Sequence, residues 1–444
     1  MDRRTFVRTA LGTTIGATMG ASLGTTLAGT ASASHSVVEV PYRMDASNQA
    51  GWWRPIEEHN GHVYLAYNAW GGPGPTNGGP TDTHTVYIAR RSPDGSWTRG
   101  CLKSAPGSGC VVYGDDVGHN QPSIAIDGDG YIHAFVSMHN DNWRYYRSDA
   151  PGDVTTMVNR SAELPDQGLR YTYPNLAKAQ NGDVYLIIRV YPTWPGPGYG
   201  RLFRWSNSAK TWARVATFAA DSDWIVYPND VAGTSDGRIH IGWEWAYGGA
   251  NGLRHLGSYL VYDPATGQFR NAAGTVVNAP ATTASPVVYR PLGPHENPPG
   301  CRKPSSCPGV QSAKLAINPS TGRPLVAYRY RSNHNYPFRV WLAEWTGSSW
   351  ANSLVYAGNY DTYAALDITT PGSDDVRVYY AKKETLQPNQ PHVATRSQSG
   401  GWVEHALLYG ARVERLSVIR RSQIDYLYMA DPGDRKLYFG QMSW

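Results

Sequence analysis

The chain has 444 residues, 41% of them hydrophobic and 17% charged, with a formal net charge of +5. Lys and Arg are scattered rather than gathered into runs, which excludes the electrostatic footprint of a nucleic-acid binder. Gly, Pro, Trp and Tyr are abundant and no helical apolar periodicity persists beyond a couple of turns, so the composition points to many short strands joined by tight turns.

The chain opens Asp2-Arg3-Arg4-Thr5-Phe6-Val7-Arg8 and continues through a weakly apolar stretch of Ala, Gly and Thr to Ala33. This pattern predicts a twin-arginine export signal over residues 1–33 and a secreted product. A membrane-spanning helix is disfavoured there because Gly and Thr interrupt the segment every few positions.

Beyond the leader a turn-centred unit recurs at 53–67, 121–135, 173–187 and 227–241, with weaker copies at 312–327, 364–380 and 415–428. Each reads as a strand, a turn carrying Gly or Asp, and a second strand. Several are followed by a third and a fourth strand with a Trp-rich outer edge, as in 85–97, 201–212 and 339–350. Four strands per repeat of roughly 50 residues is the period of a propeller blade. The expected fold is therefore all-β: a single seven-bladed β-propeller of four-stranded antiparallel blades over residues 36–444. The strand near 37–40 would complete the last blade, and such closure leaves no sheet edge exposed.

The cysteines form two close pairs, Cys101 with Cys110 and Cys301 with Cys307. In an oxidising compartment they read as two local disulfides. The rival reading is a structural zinc held by Cys301, Cys307 and either His295 or His255. Those ligands suit zinc, but their spacing matches no finger or ribbon.

In a propeller blade the first strand is innermost and the second runs antiparallel to it. Residues just before the first strand and just after the second therefore meet on one face, around the axis. The first group contains Trp52, Trp53, Arg54, His119, Asn120, Tyr171, Tyr173 and Tyr227; the second contains Asn68, His139, Arg189, Glu244, Arg329, Arg331, Lys382 and Lys383. Only Glu244 among them is acidic, so this face should attract anions. The carboxylate pair that most glycoside hydrolases need is missing from the inventory. A sialidase is disfavoured too, because Ser92-Pro93-Asp94-Gly95-Ser96-Trp97 matches the Ser-x-Asp-x-Gly-x-x-Trp box of those propellers only in part.

Elimination beside a uronic acid needs a cation to neutralise the carboxylate, a base for the C5 proton and an acid for the leaving O4 oxygen. Arginine suits the first task because its fork matches a carboxylate bidentately. Histidine and tyrosine suit the other two. His133 and His240 lie within second strands and read as structural.

The run Gly118-His119-Asn120-Gln121-Pro122-Ser123-Ile124-Ala125-Ile126-Asp127, with Gly130-Tyr131-Ile132-His133 and Met138-His139, resembles the signature blade of the seven-bladed ulvan lyases, which cut sulfated rhamnose and uronic acid polymers. Tyr171-Thr172-Tyr173-Pro174-Asn175 and Arg189 continue the resemblance in the next blade. It implies that His119 and Tyr173 are the proton-transfer pair, in an order left open, that Arg189 neutralises the carboxylate, and that His139 binds or orients the uronate. Asn120, Tyr171, Tyr227, Arg329, Arg331 and Trp194 are the further expected substrate-binding residues, Trp194 standing in a Pro-rich insertion over 192–198.

On this reading the partner is an acidic polysaccharide, no cofactor is required for catalysis, and a structural metal ion stays open. The mature chain is expected to be a monomer without nucleic-acid or membrane partners. The alternatives are a hydrolase of rhamnose–glucuronate linkages and a non-catalytic carbohydrate-binding propeller. For Arg189 the competing assignment is an internal ion pair with Asp230.

Overall fold

A computed structural model of the chain describes residues 34–48, 52–73, 82–114, 119–248, 254–293, 296–300, 308–332, 335–372, 375–384, 390–396 and 401–443. Among them the regular structure is β-strand apart from three single-turn 3-10 segments, Val154–Thr156, Ser161–Glu163 and Pro298–Gly300. Each turn-centred repeat folds as an antiparallel hairpin. The pairs are Ile56–His59 with His62–Pro73, Ser123–Ile126 with Ile132–Phe135, Arg170–Lys178 with Val184–Tyr191, and Trp224–Gly233 with Ile239–Tyr247. They continue with Gly309–Ile317 and Pro324–Arg331, Thr362–Thr369 and Val376–Lys382, and Arg415–Arg421 and Ile424–Asp431.

Turn chemistry explains why the chain reverses where it does. In the second hairpin the Asp127 carboxylate accepts the amides of Asp129 at 3.0 Å and Tyr131 at 2.9 Å, while Gly130 takes a φ of 90° that a side chain would resist. The first strand of each hairpin packs beside the first strand of the next, and the last of them lies beside the first. Further strands build outward from each hairpin, so that Trp205 pairs with Trp212 and Trp345 with Trp350 on the outer edges. The N-terminal strand Ser34–Glu39 pairs with Lys436–Ser443 and becomes the outermost strand of the C-terminal sheet. The fourth and fifth repeats share one ladder only through the pair Arg254 and Val310.

Sheets meet through buried apolar layers, and this sets where side chains from one strand go. On Val184–Tyr191, Ile187 packs into the cluster shared with Val231, Ile241 and Trp243, whereas Leu186 and Ile188 pack into the cluster of Phe203 and Trp205 on the other face. Burying apolar chains on both faces, at roughly 1.5–3 kcal/mol each, holds this strand rigidly. By the same alternation Arg189 shares the face of Ile187 and points toward the fourth repeat. His133 bonds the Tyr145 hydroxyl at 2.8 Å and His240 the Tyr259 hydroxyl at 2.6 Å, both inside the protein.

Cys101 and Cys110 are disulfide-bonded. Cys301, Cys307, His295 and the leader over 1–33 lie outside the described residues.

Candidate active site

Strand Arg170–Lys178 departs from regular pairing between Thr172 and Asn175. Tyr173 sits in this bulge with φ at 62°, the left-handed region that a bulky residue adopts only under constraint, at a cost on the order of 1–2 kcal/mol. The bulge takes Tyr173 out of the ladder, and its ring packs with those of Trp53 and Tyr227. Next to it, Thr172 pairs with His139, and the Thr172 hydroxyl accepts the Asn140 amide at 2.7 Å and bonds the Asn140 side-chain oxygen at 2.9 Å. His139 is thereby delivered alongside Tyr173. The His119 ring stacks on that of His139 with centroids 3.8 Å apart and planes 4° from parallel, and lies 6.1 Å from the Tyr173 ring. Behind them, buried His84 bonds the Ser137 hydroxyl at 2.5 Å, anchoring the turn that leads into His139. Burial, with Arg144 adding to it, brings the His84 imidazole down to about 4.

Arg189 closes the site from the neighbouring strand and is 3% exposed. Its guanidinium carbon stands 4.6 Å from the Tyr173 ring, 4.6 Å from that of Tyr227 and 5.1 Å from that of Tyr191. Gly198 makes room for it, since a Cβ there would come within 2.8 Å of the Arg189 side chain. Tyr227 is its hydrogen-bonding neighbour, whereas Nε and Nη1 are buried without a partner among the described residues. A buried cation with two unused donors and no carboxylate partner among the described residues is expensive unless something anionic meets it. Burial pushes the Tyr173 phenol up to about 12 against the pull of Arg189. Tyr227 is partly buried, and there Arg189 and Arg254 together outweigh the effect of burial and hold its phenol below the usual tyrosine value.

Arg254 is the second cation of the cluster. It opens strand Arg254–Asp263 and lies 4.2 Å from the Tyr227 ring and 4.6 Å from that of Trp52, with Nε 3.7 Å from the buried Glu244 carboxylate. Trp52 and Trp53 in turn pack on Tyr173, at 5.8 and 5.3 Å between centroids. Burial raises Glu244 to about 7, against the opposing charge of Arg254.

His119, His139, Tyr173, Arg189 and Tyr227 thus come together as the sequence inventory placed them. Others do not. Tyr171, expected to bind substrate, is fully buried, stacks on Trp143 at 3.6 Å and bonds the Asp166 carbonyl. In a regular strand Tyr171 and Tyr173 would share a face, and the intervening bulge separates them. Arg329 is also displaced from the expected role: its nitrogens are committed to the Thr362 side chain at 2.9 Å, the Thr362 carbonyl and the Gln311 side chain at 3.3 Å. It ties two repeats together. Arg331 lies against Phe338 and lines a different cavity with Tyr330 and Tyr336. Asn120 is buried behind His119, its carbonyl accepting from Asn68 at 3.2 Å. Trp194 is 51% exposed at the rim. Asp230 binds Arg54 at 2.5 Å, so it is no partner of Arg189.

Arg254 is missing from the sequence inventory because it opens a third strand rather than flanking a first or second one. A third strand starts where the second ends, so its first residue reaches the same face. That signal was available.

The model of the BNR repeat-containing family matches residues 62–357, and the chain belongs to that family. Its fold is similar to that of the polysaccharide lyase Uly1, with a TM-score of 0.63 and 16% identity over 89% of this chain and 90% of the other. It is similar also to a PL25 ulvan lyase bound to -[GlcA(1-4)Rha3S]-, with a TM-score of 0.65 and 16% identity over 90% and 95% of the two chains. A further PL25 ulvan lyase structure gives a TM-score of 0.65 at 17% identity over 90% of this chain and 95% of the other. No curated protein sequence matches the chain.

Proposed function

We propose that this chain is a polysaccharide lyase that cleaves an acidic, uronate- and rhamnose-containing polymer of the ulvan kind by β-elimination. Its fold is read as a seven-bladed propeller, the ladder shared by the fourth and fifth repeats being counted as two blades because one residue pair joins them. The observation that carries the functional reading is Arg189: a buried guanidinium with two nitrogens that have no partner among the described residues, set against two tyrosines beside a stacked histidine pair. A uronate carboxylate is the planar anion that such a fork fits.

In the proposed reaction Arg189 binds the carboxylate and takes up the negative charge that moves onto it as the C5 proton leaves. The electron pair of the C5–H bond forms the C4–C5 double bond, the C4–O4 bond breaks, and the departing oxygen receives a proton. His119 and Tyr173 are the two proton-transfer groups, and His139 orients the sugar against His119. The reading needs no cofactor, and it places the enzyme outside the cell through the twin-arginine leader.

The test is to incubate the purified chain with a panel of uronate polysaccharides headed by ulvan and to follow ultraviolet absorbance. A lyase generates an unsaturated, absorbing uronate. New reducing ends without that absorbance would make the chain a hydrolase, and binding without cleavage would make it a lectin.

A further inference from the structure

Outside the cluster just described, one exposed pair is tied to the site from two directions. Trp194 is 51% exposed, and its indole has the Arg170 guanidinium 5.2 Å from the ring centroid. Toward the site, Tyr191 meets Trp194 edge-on at 4.9 Å and stands 5.1 Å from the Arg189 guanidinium carbon. Arg170 opens the strand that carries Tyr173 and sits opposite Tyr191 in the ladder. Its side chain leans toward the carbonyl of Asn140, the neighbour of His139, at 3.5 Å. The loop that presents Trp194 also supplies Gly198, which accommodates the stem of Arg189. An exposed aromatic face next to a solvent-accessible cation, one residue removed from a buried cation, continues the cleft outward.

We propose that Trp194 and Arg170 form a further sugar subsite, which takes an acidic pyranose of the polymer whose uronate is bound at Arg189. The ring lies against the indole and its anionic substituent, carboxylate or sulfate ester, pairs with Arg170. The chemistry favours this ligand because the amphipathic indole accepts the apolar face of a pyranose while Arg170 selects for negative charge. The proposal rests on the reading of the cleft as an acidic-polysaccharide site, and it adds recognition beyond the scissile bond.

The experiment measures binding and cleavage separately, with ulvan, its desulfated form, and a short oligosaccharide cut from it. Trp194→Ala is expected to weaken ulvan binding roughly tenfold, about 1.4 kcal/mol, and to lower by a similar factor the ratio of kcat/KM on polymer to that on the short fragment. Trp194→Tyr should recover most of the loss. Arg170→Gln should weaken binding of ulvan, and a smaller effect on the desulfated polymer would assign Arg170 to the sulfate. Equal effects on both would assign it to the carboxylate. If Trp194→Ala binds and discriminates like the parent while the parent forms unsaturated product, the subsite falls and the lyase reading stands. If Trp194→Ala loses binding and no chain forms unsaturated product, the subsite stands and the lyase reading falls. A parent chain that neither binds nor cleaves any of these polymers overturns both.

Discussion

Replacing Arg189 by Met or Ala separates what this side chain does for the reaction from what it does for the fold. Removing it takes away three cation–π contacts, each worth about 0.5–2 kcal/mol, but also a buried charge whose desolvation costs several kcal/mol. No carboxylate among the described residues is orphaned by the change, so the two effects offset and stability should stay within about 1 kcal/mol, visible as a small shift in Tm. Turnover behaves differently. On the proposed mechanism Arg189 binds an anionic carboxylate and meets further negative charge as the C5 proton leaves, so its loss should lower kcat by about three orders of magnitude, near 4 kcal/mol. Arg189→Lys keeps the charge but loses the fork, and should recover little. Initial rates from ultraviolet absorbance, with thermal unfolding of the same samples, give both numbers. A folded Arg189→Ala chain with near-normal turnover on a polymer the parent cleaves would remove arginine from the mechanism.

Tyr173→Phe keeps the ring packing on Trp53 and the strained bulge, so it should fold normally, still bind polymer, and lose about 10²–10⁴ in turnover. Glu244 adds a pH dependence to stability. Its carboxyl is raised by burial from an ordinary 4.5 to about 7, so the folded chain holds a proton that the unfolded chain releases. The resulting stabilisation is complete below about 4.5 and is lost as pH rises through about 7. It is on the order of 3 kcal/mol. Denaturant midpoints across that window should fall in the parent, and Glu244→Gln should flatten the profile; a parent profile already flat there would refute the assignment. Reduction of Cys101–Cys110 should cost about 2–3 kcal/mol by the loop it closes. Mass spectrometry of the alkylated, unreduced chain should find no free thiol, Cys301 and Cys307 included.

The sequence alone carried the periodic part of this molecule. Hairpins centred on Asp127 or Gly182 are local objects, set by side-chain-to-backbone bonds and by glycine backbone freedom within a few residues, so their positions could be read directly. Because the expected propeller repeat brings the same two positions of each hairpin to one face, His119, His139, Tyr173 and Arg189 could be grouped before any distance was known. Strand parity could not separate Tyr171 from Tyr173, since a single bulge reverses the alternation and nothing in Tyr171-Thr172-Tyr173 announces it.

The partners of buried charges were also beyond the sequence. Whether an arginine uses its donors internally, as Arg329 does on Thr362, or leaves some without a partner among the described residues, as Arg189 does with Nε and Nη1, depends on residues brought close from other repeats. The same holds for Arg254, which reaches Tyr227 and Trp52 from a third strand. Turns and repeat period are short-range and survive in the one-dimensional pattern. Donor bookkeeping and ring packing around the axis are set by contacts between distant segments, and only the tertiary structure decides them.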